Sequence, residues 1–182
     1  MLLWIILGVV ALLVVALVLF YNRLIRLRNR VENAWAQVDV QLKRRYDLIP
    51  NLVETVKGYA SHERETFEAV TNARAAAQSA TGPAEQGAAE GLLSAALGRL
   101  IAVAEAYPEL QADENFRQLQ EELAQTENRI AVSRQVYNDT VLTYNTAIQT
   151  VPGVFFAGPL GFSKRDFFEV EGEAREAPRV TF

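Results

Sequence analysis

The chain lacks cysteine altogether, so neither a disulfide framework nor thiol chemistry is open to it. It has a single histidine, His62, so a zinc site would have to be built almost wholly from carboxylates. No Ser-His-Asp set, Gly-rich phosphate loop or pair of His ligands occurs. HERE at 62–65, with Glu68 nearby, comes nearest to a metalloprotease helix, but that chemistry needs a second His four residues on, and residue 66 is Thr. The stretch therefore reads as a solvated helix face. These absences predict a protein that is not an enzyme and uses no cofactor or metal.

A different absence is informative in the other direction. Residues 2–20, LLWIILGVVALLVVALVLF, contain no charge and no polar side chain. As a helix they reach about 29 Å, close to the hydrocarbon thickness of a bilayer. A cleavable signal peptide would carry a basic start and a shorter apolar core, and a buried core helix is rarely apolar all round for five turns. Residues 1–22 are thus expected to be a transmembrane anchor. No Lys or Arg precedes the run, whereas Arg23, Arg26, Arg28, Arg30, Lys43, Arg44 and Arg45 follow it. Positive charge stays on the cytoplasmic side, which predicts a short N-terminus outside and the remaining chain in the cytoplasm.

The charge is unevenly placed. Residues 22–45 hold seven Lys or Arg against two acids, +5, and residues 46–182 hold eleven against twenty, −9. A basic collar suits anionic headgroups, so membrane lipid is the expected partner, and the acidic remainder excludes nucleic acid. After the anchor about 160 residues remain, enough for one domain with a real core.

Apolar residues recur with a helical period from Leu24 through Leu27, Val31, Ala34, Trp35, Val38, Leu42 and Tyr46. They continue in phase through Ile49, Val53, Val56, Ala60, Phe67, Val70 and Ala77, with Glu63 and Arg74 as exceptions on the stripe. Pro50 cannot donate to the Tyr46 carbonyl, so the helix either kinks there or turns back with Asp47 as cap. Phase favours a kink, but the later helices are too short to cover so long a stripe, and a turn at 47–50 is the preferred expectation. SATGP at 79–83 breaks the chain, with Gly82 as N-cap of a third helix running to about Ala106 along Leu92, Leu93, Leu100 and Ile101. Its glycines either weaken it or allow close approach. Asp113 then caps the longest helix, striped by Phe116, Leu119, Leu123, Ile130, Tyr137, Val141, Tyr144 and Ile148. Four helices of about 23, 32, 24 and 38 residues predict an all-α fold, an N-terminal transmembrane helix followed by an antiparallel four-helix bundle over 23–150.

Residues 151–182 form the remainder. VPGVFFAGPLGF at 151–162 is apolar, rich in Gly and Pro and without periodicity, so it reads as loop. Either it dips Phe155 and Phe156 into the membrane interface or it caps the open end of the bundle core. The terminal DFFEVEGEAREAPRVTF reads as an extended segment along the bundle or as disorder.

Two groups are candidate interaction surfaces. Arg44, Arg45 and Asp47 beside Pro50 make either an exposed turn offered to a partner or a solvated cap. Glu127, Arg134, Tyr137, Asn138, Tyr144 and Asn145 make either a groove for a peptide or headgroup, or a buried polar network that fixes helix register.

The anchor helix, RRYDLIPNLVETVKGYASHE at 44–63, YPELQADENFRQLQEELAQTENRIAVSRQVYNDTVLTYN at 107–145 and PGVFFAGPLGF at 152–162, in that order, resemble the LemA family across nearly the whole chain. The resemblance implies a bacterial inner-membrane protein with a short external N-terminus and a cytoplasmic four-helix domain, and it brings no catalytic residues to carry over. The expected role is a non-enzymatic scaffold or adaptor, homo-oligomeric, that docks other envelope membrane proteins. The alternative is a signalling or sensing module that binds a small molecule or headgroup between helices near Tyr137 and Arg134.

Overall fold

The computed structural model describes residues 1–170. Among them all regular structure is helical: α1 (Leu2–Tyr59), α2 (Arg64–Ser79), α3 (Gly82–Glu105), α4 (Pro108–Ala112), α5 (Glu114–Gln149) and α6 (Gly153–Phe156). A long apolar N-terminal helix is thus followed by a helical bundle. The expectation for the last twelve residues of the tail lies outside the described residues.

The first difference from the sequence reading is at Pro50. The chain neither turns there nor uses Asp47 as a cap, because α1 passes through Pro50 and ends only at Tyr59. The reason is local. The proline leaves the Tyr46 carbonyl without its helical donor, and Arg74 Nε of α2 donates to that oxygen at 2.8 Å. The two irregularities of the stripe, Pro50 and Arg74, satisfy each other, and the buried face continues through Leu42, Tyr46, Ile49, Leu52 and Val56, with Leu52 in the core and Val53 half-buried. The break falls at 60–63, where exposed His62 sits in a turn and not on a helix face. The second helix is correspondingly shortened to α2.

The chain divides into two compact units. One is Met1–Gln37 with Gln135–Arg165, the other Val38–Arg134 with the tail from Asp166, so α1 and α5 contribute to both. In the first unit residues 2–19 are exposed along their whole length, and the run is long and apolar enough to cross a membrane. After them Leu24, Leu27, Val31 and Ala34 of α1 and Tyr137, Val141, Tyr144 and Ile148 of α5 are among the buried side chains of this unit, and Trp35 meets Tyr137. The segment at 151–162, expected to be all loop, contains the one-turn α6.

In the second unit α2 and α3 form a hairpin. Helix α3 begins one residue before the sequence places it, with Thr81 as N-cap. The Thr81 N–H and hydroxyl both donate to Glu85, holding that carboxyl below its ordinary range. α3 is apolar and long enough to cross a bilayer, yet it buries Leu93, Leu97 and Leu100 together with Gln86 and Glu90, so it is a core helix. Leu92, assigned to its stripe, is exposed. Gly87 is required by a close approach, since a Cβ there would meet the Glu169 carbonyl oxygen at 2.0 Å. Next to it Phe168 is fully buried, so the described start of the tail packs against this unit without regular structure. Asp113 does cap α5, accepting from the Phe116 N–H at 2.9 Å and from the Tyr59 hydroxyl at 3.1 Å.

Candidate functional site

The strongest chemistry of the second unit is buried. Arg45 stands on the inner face of α1 one turn before Ile49, and its side chain is 3% exposed. Its Nη1 lies 2.6 Å from Glu90 Oε2 of α3, itself 2% exposed, and its Nε lies 2.7 Å from Glu127 Oε1 of α5. Nη2 donates to the Ser94 hydroxyl at 2.8 Å. The Tyr46 hydroxyl donates to the other Glu90 oxygen. Gln86 Nε2 lies 2.8 Å from the Tyr46 hydroxyl and 3.0 Å from both Glu90 Oε1 and the Ala77 carbonyl.

Burial pushes the Tyr46 phenol far above its ordinary pKa, and the adjoining Glu90 carboxylate adds to the shift. The phenol therefore stays protonated and remains a donor to the carboxylate. A buried ion pair whose spare hydrogen-bonding positions are filled by Tyr, Gln and Ser contributes uniqueness of packing, tying α1, α3 and α5 in one register. The reading of Arg45 as part of an exposed turn or a solvated cap is therefore corrected, while Arg44, Asp47 and Pro50 are exposed on the outer side of the same helix. Glu90, Gln86 and Tyr46 are absent from the candidate set drawn from the sequence. Their signal is nonetheless present, since Gln86, Glu90, Leu93 and Leu97 follow helical spacing on one face.

The second candidate group is divided between the units. Glu127 belongs with Arg45, and Arg134 is half-buried at the end of the same unit. Tyr137, Asn138, Tyr144 and Asn145 lie in the first unit, where Trp35 stands against Tyr137 at a centroid distance of 5.1 Å. Tyr144 and Asn145 hold the returning chain. The Tyr144 hydroxyl donates to the Ser163 carbonyl at 2.9 Å, and burial raises its pKa. The Asn145 side chain donates to the Arg165 carbonyl and accepts from the Arg165 N–H, both at 2.9 Å, the two-point pairing a neighbouring backbone would give. Of the alternatives for these four residues, the buried network describes Tyr144 and Asn145. A groove of about 240 Å³ does open in this unit, but Leu27, Arg30, Val136, Asp139, Thr140 and Thr143 line it. Neither Tyr137 nor Arg134 does.

Phe155 and Phe156 of α6 are both exposed. Among the described residues no cluster of three or more His, Cys, Asp or Glu side chains is arranged to hold a metal ion.

A magnetosome protein, MamQ 2 of Paramagnetospirillum magneticum, is 28% identical over 202 residues, covering 97% of this chain and 74% of its own. Magnetosome protein MamQ of Magnetospirillum gryphiswaldense is 28% identical over 194 residues, 92% of this chain and 71% of its own. Protein LemA of Metamycoplasma hominis is 26% identical over 133 residues, 71% of this chain and 59% of its own. With a match to the LemA family model over residues 34–182, an apolar first helix and an all-helical body, this chain is a membrane protein that belongs to the LemA family.

Proposed function

We propose that the protein is a non-enzymatic, single-pass scaffold of the bacterial inner membrane. Residues 2–20 cross the bilayer with the N-terminus outside, and the helical bundle stands in the cytoplasm as a docking body for other envelope membrane proteins and for further copies of itself. The observation that carries this reading is the continuity of α1. The exposed apolar run and the buried stripe that begins at Leu24 belong to one helix, Leu2–Tyr59, so the element that enters the membrane is also a wall of the bundle core. A protein whose charged core groups are spent on each other, with Arg45, Glu90 and Tyr46 turned inward, offers its surroundings a shape more than a chemistry.

In-membrane cross-linking of the full chain from exposed positions such as Leu92 and Leu142, followed by mass spectrometry, tests the role. Discrete membrane-protein adducts and self-adducts support it. A strictly monomeric protein that cross-links to nothing in the membrane overturns it. Sidedness is read separately with an impermeant thiol reagent, since the chain has no native cysteine. A cysteine inserted directly after Met1 should react from outside and one at Ser79 only after lysis.

A further inference from the structure

We propose that residues 151–160 are a second membrane contact, lying in the interfacial layer of the same bilayer that residues 2–20 cross. The inference rests on the spanning reading of residues 2–20 and adds to it a specific surface. The pin is Phe162. It is buried, its ring meets Tyr21 edge-on at a centroid distance of 5.7 Å, and the Arg28 guanidinium lies over it at 5.6 Å. Tyr21 is the residue that directly follows the apolar run, so the chain leading to Phe162 is held beside the end of the span. This is the depth at which amphipathic aromatic residues sit in a bilayer.

The segment so placed has two sides. Gly153, Ala157 and Phe162 face inward. Val151 at 75%, Val154 at 54% and Phe155 at 67% exposure face outward, together with Leu160. No charged side chain occurs between residues 151 and 162, while Lys164 and Arg165 follow directly. The outward side is held in position by α5, because a Cβ on Gly153 would meet the Ala147 carbonyl oxygen at 2.0 Å, leaving α6 pressed against the last turn of that helix. An apolar face of this kind needs a cover. The bilayer is already at hand beside Tyr21, and exposed Arg23, Arg26, Arg30 and Lys164 give the flank the positive charge that anionic headgroups attract. The occupant is therefore the headgroup and upper acyl layer, with Phe155 as the deepest side chain.

The full chain, carrying one nitroxide-labelled cysteine at a time, is reconstituted into vesicles of phosphatidylethanolamine and phosphatidylglycerol. Spin-label accessibility to oxygen and to a water-soluble nickel chelate is then compared. Leu12→Cys should be oxygen-accessible and shielded from nickel, and Leu92→Cys the reverse. Phe155→Cys and, independently, Val154→Cys should side with Leu12 at a shallower depth. A nickel-accessible label at Leu12 would overturn the spanning reading itself. With Leu12 embedded, nickel access at Phe155 and Val154 equal to that at Leu92 would overturn the interfacial contact alone. Spin–spin broadening at Phe155 that disappears on dilution with unlabelled protein would assign the patch to a second copy, and the contact with lipid would again be overturned.

Discussion

The two compact units use the same two long helices and hold them by opposite means. The unit built on Val38–Arg134 is fastened by side chains far apart in sequence, Arg45 to Glu90 and Glu127, with Tyr46 and Gln86 completing the cluster. In the unit of Met1–Gln37 and Gln135–Arg165, aromatic contacts at Trp35–Tyr137 and Tyr21–Phe162 do that work, along with side chains of α5 that clasp the backbone of the returning chain. A fully desolvated charge pair is unforgiving, because either partner left alone is a bare charge in a low dielectric. Aromatic edges and side chain to backbone bonds fail by smaller steps.

That contrast is broken most sharply at Arg45. Arg45→Met should cost about 3–5 kcal/mol by leaving Glu90 buried and unpaired, read as a fall in the thermal midpoint of the full chain in detergent followed by circular dichroism. Combining it with Glu90→Leu should recover most of the loss, since neither charge then remains. Glu127→Gln should cost less, about 1–2 kcal/mol, because the side chain as a whole is 40% exposed although the oxygen that meets Arg45 is buried. Equal losses for Glu90 and Glu127 variants would show that burial is not what makes the cluster brittle.

On the aromatic side, Asn145→Ala removes both partners of the Arg165 backbone and should cost about 1–3 kcal/mol. Tyr144→Phe removes one donor to Ser163 and should cost about 1 kcal/mol. If both variants melt as low as Arg45→Met, the units do not differ in the way described.

The junction of Pro50 and Arg74 sharpens the comparison from within one unit. Arg74→Met should cost about 1–2 kcal/mol by leaving the Tyr46 carbonyl without a donor, and much less in a Pro50→Ala background, where the helical N–H is restored. An additive double-mutant cycle would mean that the guanidinium is not the substitute donor.

The same pair shows how far the fold was legible. The apolar stripes and the Asp113 cap follow from period and side-chain chemistry, and α3 and α5 lie near their expected places because those signals are local. Pro50 misleads because its missing donor is supplied 24 positions later, from a residue that reads only as a charge misplaced on an apolar stripe. Glu90 is obscured in the same way, since its helix looks apolar and Gly-rich, and only a partner 45 residues away makes a buried carboxylate tolerable. Tyr144 and Asn145 were visible as polar residues on a core face. The backbone they hold, in the chain just past a Gly and Pro-rich segment, has no period to announce it.

The smallest expected effect concerns the α5 cap, and it separates caps from cores by their pH dependence. The Phe116 N–H, and after it the Tyr59 hydroxyl, bond the charged form of Asp113 and hold its carboxyl below the ordinary range. A group with a depressed folded pKa contributes stability that is fully present above its unfolded value, about 4, and is lost as the pH falls through the lower folded value. The thermal midpoint should therefore decline on acidification below about pH 4, and Asp113→Asn should flatten part of that decline. Near neutrality the same variant should change little, since Asn caps a helix nearly as well as Asp. Tyr59→Phe, which leaves the Phe116 bond in place, should flatten the acid limb less than Asp113→Asn does. If both variants leave the acid limb unchanged, the decline does not come from the α5 cap.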